Sequence, residues 1–217
     1  MKRVFLVFVM FGCGLILASV QGAETVPVGV FSSGSLQGWK PKLFEGETTY
    51  RIETLENQRV LKAHSQQTAS GLFKETTINL KEYPYLNWRW RIDQKLSESD
   101  ERQKAGDDYV ARIYVIYSGG LFFWRTKALN YVWSSRAERG TIWPNAFAPD
   151  NNRMIAVRSS QDNTDQWYSE KRNIFEDFKR WLGDEVVEIH AIAIMTDTDN
   201  TGSETTAFYG DIYFSKE

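Results

Sequence analysis

Tyr85-Leu86-Asn87-Trp88-Arg89-Trp90-Arg91-Ile92 alternates apolar and polar side chains along most of its length. In an extended chain successive side chains leave on opposite sides, so Leu86, Trp88, Trp90 and Ile92 share one face and Asn87, Arg89 and Arg91 the other. The first face is fit for a core and the second carries charge, which is the signature of a half-buried β-strand. Pro84 precedes the run, a place where its missing N–H costs the sheet little.

The same reading extends outward in both directions. Upstream, short extended runs at residues 28–31, 39–44, 50–54, 59–65, 70–74 and 76–80 are divided by turn residues such as Ser32-Ser33-Gly34 and Glu56-Asn57. Downstream, residues 108–118 place Val110, Tyr114 and Ile116 on the side of Arg112, with Tyr109, Ala111, Ile113, Val115 and Tyr117 opposite. A strand covered on both faces has this pattern. Further strands are predicted at 129–134, 154–159, 186–196 and 207–214, with a polar loop around Trp143-Pro144-Asn145. The lone helical spacing is at 169–182, where Ile174, Phe175, Phe178, Trp181 and Leu182 recur and Gly183 supplies a stop. These runs predict an all-β fold, a two-sheet antiparallel sandwich of jelly-roll type with one late amphipathic helix. A closed barrel is the alternative that periodicity leaves open.

Met1-Lys2-Arg3 followed by an apolar run over 4–20 reads as the basic and hydrophobic parts of a signal peptide spanning residues 1–22. Gly12, Gly14 and Ser19 interrupt the run and favour cleavage over a retained membrane span. Phe11 stands near Cys13 where a lipid-attachment signal has a small residue. The expected product is an exported protein, periplasmic or secreted, with a single domain over 23–217. Cleavage removes two of the 26 basic residues and none of the 28 acidic ones, moving the formal charge from −2 to −4. That balance argues against a nucleic-acid partner, which needs a basic surplus for phosphates. The single cysteine lies in the leader. The domain therefore relies on its core and not on disulfides, and cysteine catalysis is excluded.

Three groups of side chains carry possible chemistry. Asp197-Thr198-Asp199-Asn200-Thr201-Gly202 sets oxygens at alternating positions, similar to the first half of an EF-hand loop. Phe208 stands where that loop needs a bidentate Glu, so an EF-hand is excluded, and Asp197, Asp199 and Asn200 are left as a candidate Ca²⁺ site or an ordinary turn. Arg89, Arg91 and Arg112 each need a carboxylate, a wet groove or a bound anion. The expected partners are Asp107, Asp108, Asp197 and Asp211. In the binding version, Arg89, Arg91, Arg112, Asn130, Trp133 and Asp211 line one face for a sugar. Trp124, Trp133 and Trp143 lie in or near loops, where they can stack on sugar rings or cap the core. His64 and His190 are far apart and belong to no nucleophile motif. Asp107 or Asp108 working against Asp197, Asp199 or Asp211 is the alternative acid/base arrangement.

Trp88-Arg89-Trp90-Arg91, residues 106–112 (GDDYVAR), 128–134 (ALNYVWS) and 195–202 (MTDTDNTG) together resemble a family of secreted bacterial proteins known as domain-of-unknown-function family 3047. The resemblance implies no activity. The segments at 31–39 and 209–212 are similar to the ends of galactose-binding-like and carbohydrate-binding jelly-roll sandwiches. The expectation is thus an exported sandwich that binds carbohydrate or cell-envelope glycan. A glycan-active enzyme using paired aspartates and an envelope scaffold are the alternatives.

Overall fold

A computed structural model describes residues 24–120 and 125–217; the leader, Cys13 and Trp124 lie outside these residues. The described residues form fourteen strands and one α-helix. The strands build two sheets of seven.

The first sheet is organised by β6 (Tyr85–Ile92). Along one side runs β11 (Tyr168–Asn173) in full register, Tyr168 opposite Trp90 and Asn173 opposite Tyr85. The other side is shared end to end by β14 (Ile212–Ser215) and β13 (Glu204–Tyr209). Beyond β14 lies β1 (Thr25–Gly29), and beyond β13 lie β4 (Gln58–Gln66) and β3 (Thr49–Leu55). At the break between β13 and β14, Gly210 donates its N–H to Arg89 O at 2.9 Å. A Cβ there would stand 2.5 Å from the Arg89 side chain, so any larger residue would force that arginine to move.

The second sheet runs β2 (Lys40–Glu45), β5 (Ala69–Asn79), β12 (Glu188–Asp197), β7 (Ala111–Tyr117), β8 (Lys127–Trp133), β10 (Asn152–Arg158) and β9 (Ile142–Pro144). Every pairing is antiparallel except β10 on β8, which is parallel. The chain returns through the 134–151 segment to make that pair, and β9 forms inside the return. The architecture is the expected two-sheet sandwich of jelly-roll type.

The inward faces close on one core. Leu86, Trp88, Trp90 and Ile92 are all buried, as alternation requires, and meet Ile113, Val115, Leu129, Tyr131, Trp133, Ile192 and Ile194 from the facing sheet. Trp90 lies 5.5 Å edge-on from Trp88, 6.0 Å from Trp133 and 6.5 Å from Tyr209. Its indole N–H donates to Glu170 at 3.3 Å, and Glu170 accepts from Arg158 at 2.5 Å. Arg158 in turn stacks on Tyr168, 4.1 Å from the ring centre. A buried carboxylate and guanidinium thereby satisfy each other and the indole.

Five local expectations change. The helix is α1 (Ile174–Leu182) alone; residues 168–173 are β11, and Asn173 caps the helix by accepting from Glu176 N. The 70–80 stretch is one strand, and 207–214 is two. The Trp143-Pro144 loop contains β9, an edge strand that tolerates Pro144. Ahead of β7 the alternation slips: Val110 and Ala111 both enter the main core, while Tyr109 packs outside the second sheet with Val132, Trp143, Met154 and Ala156.

Trp90→Ala removes a fully buried indole and the donor to Glu170. It is expected to lower unfolding free energy by about 3–5 kcal/mol, read as a reduced urea midpoint with an unchanged slope.

Candidate functional site

The outer face of the second sheet holds a groove of about 560 Å³, inside the range of roughly 300–1,000 Å³ typical of small-ligand sites. Its floor follows the strand order. Phe44 and Glu45 come from β2, Ala69 from β5, Met195 and Asp197 from β12, Arg112 and Tyr114 from β7, and Asn152 from β10; Asn145, Phe147 and Ala148 follow β9. Strands at period two dictate this membership: Arg112 and Tyr114 point outward because Ala111, Ile113 and Val115 point inward.

Two exposed phenylalanines stand at the ends of this path, Phe44 at 64% and Phe147 at 57% exposure. Phe147 is presented by a turn that Asn145 holds, its Oδ1 accepting from Phe147 N and Ala148 N at 3.0 Å each. Asn145 is itself buried, and its amide approaches Met154 S at 3.4 Å.

Between the rings the floor is ionic. Arg112 Nη2 donates to Asp197 Oδ2 at 2.6 Å, and Nη1 lies 3.7 Å from Asp107. The guanidinium lies against Tyr109 and Tyr114, 4.3 and 5.2 Å from their ring centres. The backbone beneath is held from the first sheet. Tyr209 OH accepts from Arg112 N at 3.2 Å and donates to Met195 O at 3.0 Å, while Tyr50 OH accepts from Thr196 N at 3.3 Å and donates to Ser70 O at 2.6 Å. Two phenols thus cross the sandwich to fix the strands that carry Arg112 and Asp197.

Asp108 is buried and closes the 197–202 turn. Its carboxylate accepts from Thr201 N at 2.7 Å, Thr201 Oγ1 at 2.6 Å and Asn200 N at 3.2 Å. One carboxylate oxygen from each of Asp108, Asp197 and Asp199 gathers within 4.8 Å of the others, a set that can hold a metal ion. Asn200 borders it, its amide N–H₂ donating to Asp108 at 3.3 Å and Asp199 at 3.1 Å. Burial raises the carboxyls of Asp107, Asp197 and Asp199 above the usual carboxylate range, with their acidic neighbours adding to it and Arg112 opposing. Burial works to lower Arg112, but Asp197 and the other neighbours outweigh it, so the guanidinium stays charged.

The six residues expected on one face are divided among three places. Arg112 and Asn130 lie on the outer side of the second sheet. Asn130 is buried beneath the groove, donating to Asn152 Oδ1 and to Arg153 O at 3.3 Å. Arg89, Arg91 and Asp211 belong to the first sheet. Arg91 pairs with Glu56 and Asp165 at 2.7 Å each, Arg89 stacks on Trp167 at 4.7 Å, and Asp211 accepts from Ser32 N and Oγ at 2.8 and 2.6 Å. Trp133 is in the core, 1% exposed, donating to Ser159 O at 3.0 Å. Asn130 and Trp133 are three apart on one strand and so face opposite ways. Trp143 is buried too. Asp108 gathers with Asp197 and Asp199, and Asp107 shares Arg112 with Asp197; Asp211 is on the other sheet.

A two-sheet jelly-roll sandwich with an open groove across one outer face is the class of protein these features define. Within it, the chain belongs to the family described as protein of unknown function (DUF3047), whose model matches residues 37–213. No curated protein matches it in sequence. Among solved structures it is similar to the family 11 carbohydrate-binding module of the cellulosomal cellulase Lic26A-Cel5E of Clostridium thermocellum, at 9% identity over 89% of this chain and 94% of that one, TM-score 0.48. The family 30 module of the cellulase Cel9D-Cel44B of the same organism gives 9%, 90%, 94% and 0.49. The CBM22-1 xylan-binding domain of Xyn10C from Paenibacillus barcinonensis gives 8%, 90%, 97% and 0.44.

Arg112→Met strands Asp197 and Asp107 without their counter-charge, and an expected loss of about 3–5 kcal/mol follows; adding Asp197→Asn restores part of it in the same urea titration. A second test uses Glu101, buried against Ser134 and Ser135, whose carboxyl burial raises above its ordinary value. A raised folded-state value stabilises below the unfolded value and the benefit is lost as pH climbs through the folded one. The stability of Glu101→Gln relative to the parent should therefore improve as pH rises from the ordinary glutamate range towards neutrality. A difference that stays flat across that window would contradict it.

Proposed function

We propose that this is an exported glycan-binding protein whose ligand lies across the outer face of the second sheet. The observation that carries the reading is the pair of exposed rings, Phe44 and Phe147, framing a floor of fixed polar groups. Sugar rings present apolar C–H faces and a rim of hydroxyls, and this groove offers aromatic surface for the first and carboxylate, amide and phenol groups for the second. The path from Phe44 on β2 to Asn152 on β10 crosses five inter-strand spacings of about 4.8 Å, which suits an elongated oligosaccharide over a compact metabolite.

Other parts of the chain fit the same reading. Residues 1–22 serve as the export signal, delivering the domain to the periplasm or the exterior. No helix among the described residues is long and apolar enough to cross a membrane. Ca²⁺ at the aspartate triad is the cofactor of this reading. Sugar contacts fall to Asn152, Asn200, Tyr114 and Asp199, since Arg112 is engaged by Asp107 and Asp197.

Native gels containing mixed-linkage β-glucan, xylan, galactan or polygalacturonate provide the test. Retarded migration is expected in at least one of them, and Phe44→Ala combined with Phe147→Ala should abolish it with little change in thermal midpoint, because both rings are exposed. Unretarded migration of the parent in every gel would remove the proposal.

A further inference from the structure

The aspartate cluster poses a charge problem that the protein alone leaves open. Asp107, Asp197 and Asp108 are buried, Asp199 is half-buried, and among the described residues Arg112 is the cation that pairs with Asp107 and Asp197. Ionised together, four carboxylates against one guanidinium carry a surplus of three negative charges in a poorly solvated place, where charge repulsion is strong. One atom marks where the deficit is felt. Arg112 occupies Asp197 Oδ2, and Asp197 Oδ1 is buried without any hydrogen-bond donor, although Asp197 is only 2% exposed. A buried carboxylate oxygen with no donor is costly unless something positive meets it.

Resting on the glycan-binding reading, we infer that a hard divalent cation, Ca²⁺ in class, sits between Asp108, Asp197 and Asp199 and completes its coordination with hydroxyl oxygens of the bound sugar. The donors are all oxygen, which suits such an ion, and three carboxylates fall short of the six to eight ligands Ca²⁺ takes. Asp197 and Asp199 line the groove, so the open positions face its interior. The charge count also selects the ligand. With the ion bound and all four carboxylates ionised beside Arg112, the cluster remains negative by one, so an acidic sugar is repelled where a neutral sugar with vicinal hydroxyls is not. Neutral polysaccharides are therefore the substrate class, and polygalacturonate is not. Asn200 has to turn its amide, presenting oxygen in place of nitrogen, to join the shell.

The full mature chain, stripped of metal with EDTA and dialysed, is titrated with Ca²⁺ by calorimetry and melted with and without millimolar Ca²⁺. Saturable binding of one ion and a raised midpoint are expected, since an ion held only by the native state stabilises it. Asp199→Asn, at the half-exposed member, should keep the fold and weaken Ca²⁺ binding about tenfold or more; Asp197→Asn is a second variant should that one prove uninformative in the melt. In native gels, retardation by a neutral polysaccharide should be present with Ca²⁺ and lost with EDTA and in Asp199→Asn. Retardation that persists with EDTA, or without any measurable Ca²⁺ binding, overturns the bridging ion and leaves glycan binding standing. Ca²⁺ binding with no retardation in any gel overturns glycan binding and the bridge together.

Discussion

The indole of Trp90 meets three other aromatic side chains and one carboxylate, and the sandwich is assembled around that meeting. Trp88 and Tyr209 come from its own sheet and Trp133 from the opposite one, so a single side chain fixes the spacing of the two layers. Its N–H reaches Glu170, which ties β11 and the Arg158 end of β10 to the same point. Because β6 also pairs with β11 on one side and with β13 and β14 on the other, its inward face settles which side of every neighbour is oily. Shifting β6 by one residue would bury Arg89 and Arg91 and expose both tryptophans, an outcome far costlier than any loop rearrangement.

With the interior settled, the outer face of the second sheet becomes available for other work. Tyr50 and Tyr209 belong to the first sheet, yet their hydroxyls terminate the backbone ladder under Arg112, Met195 and Thr196. The β12–β7 pairing stops at Met195 opposite Arg112, and Tyr209 OH supplies the acceptor for the Arg112 N–H at that end of the ladder. The groove floor is therefore rigid for the same reason that the core is well packed: the groups that hold it are core residues with polar tips. The groove's ends are different, since Phe44 sits on an edge strand and Phe147 on a turn secured by one asparagine.

How much of this could be read from the chain depended on whether burial followed polarity. β6 was legible to the residue, because its buried side chains are apolar and its outward ones charged. β11 was absorbed into the helix, because its buried member is Glu170, an acid hidden by pairing with Arg158, which removes the apolar signal a strand normally gives. β9 is three residues with a proline, too short to alternate. The site was legible only in part. The 197–202 loop and Asp107-Asp108 each stood out as acidic, but their union across some ninety residues depends on the register of β12 on β7. Phe44 and Phe147 gave no signal, since an exposed phenylalanine and a buried one look alike in a sequence. Trp133 misled for the converse reason: proximity to a loop in sequence says nothing of which face a strand residue takes.

The acidic floor is hard to explain as a device for stability. A buried ion pair seldom outperforms apolar residues of the same shape, and here one arginine serves a surplus of carboxylates. A sheet's outer face could have been covered cheaply by the pattern that Tyr109, Val132, Trp143, Met154 and Ala156 adopt a few strands along, where a second apolar cluster seals the same surface. That contrast lies within one face of one sheet, so it isolates the difference: next to β9 the face is closed with hydrocarbon, while over β12 and β7 it is left open and charged. Folding tolerates that choice because the Trp90-centred core carries the cost elsewhere, and a site held in an unfavourable charge state gains the most when a partner of opposite charge arrives.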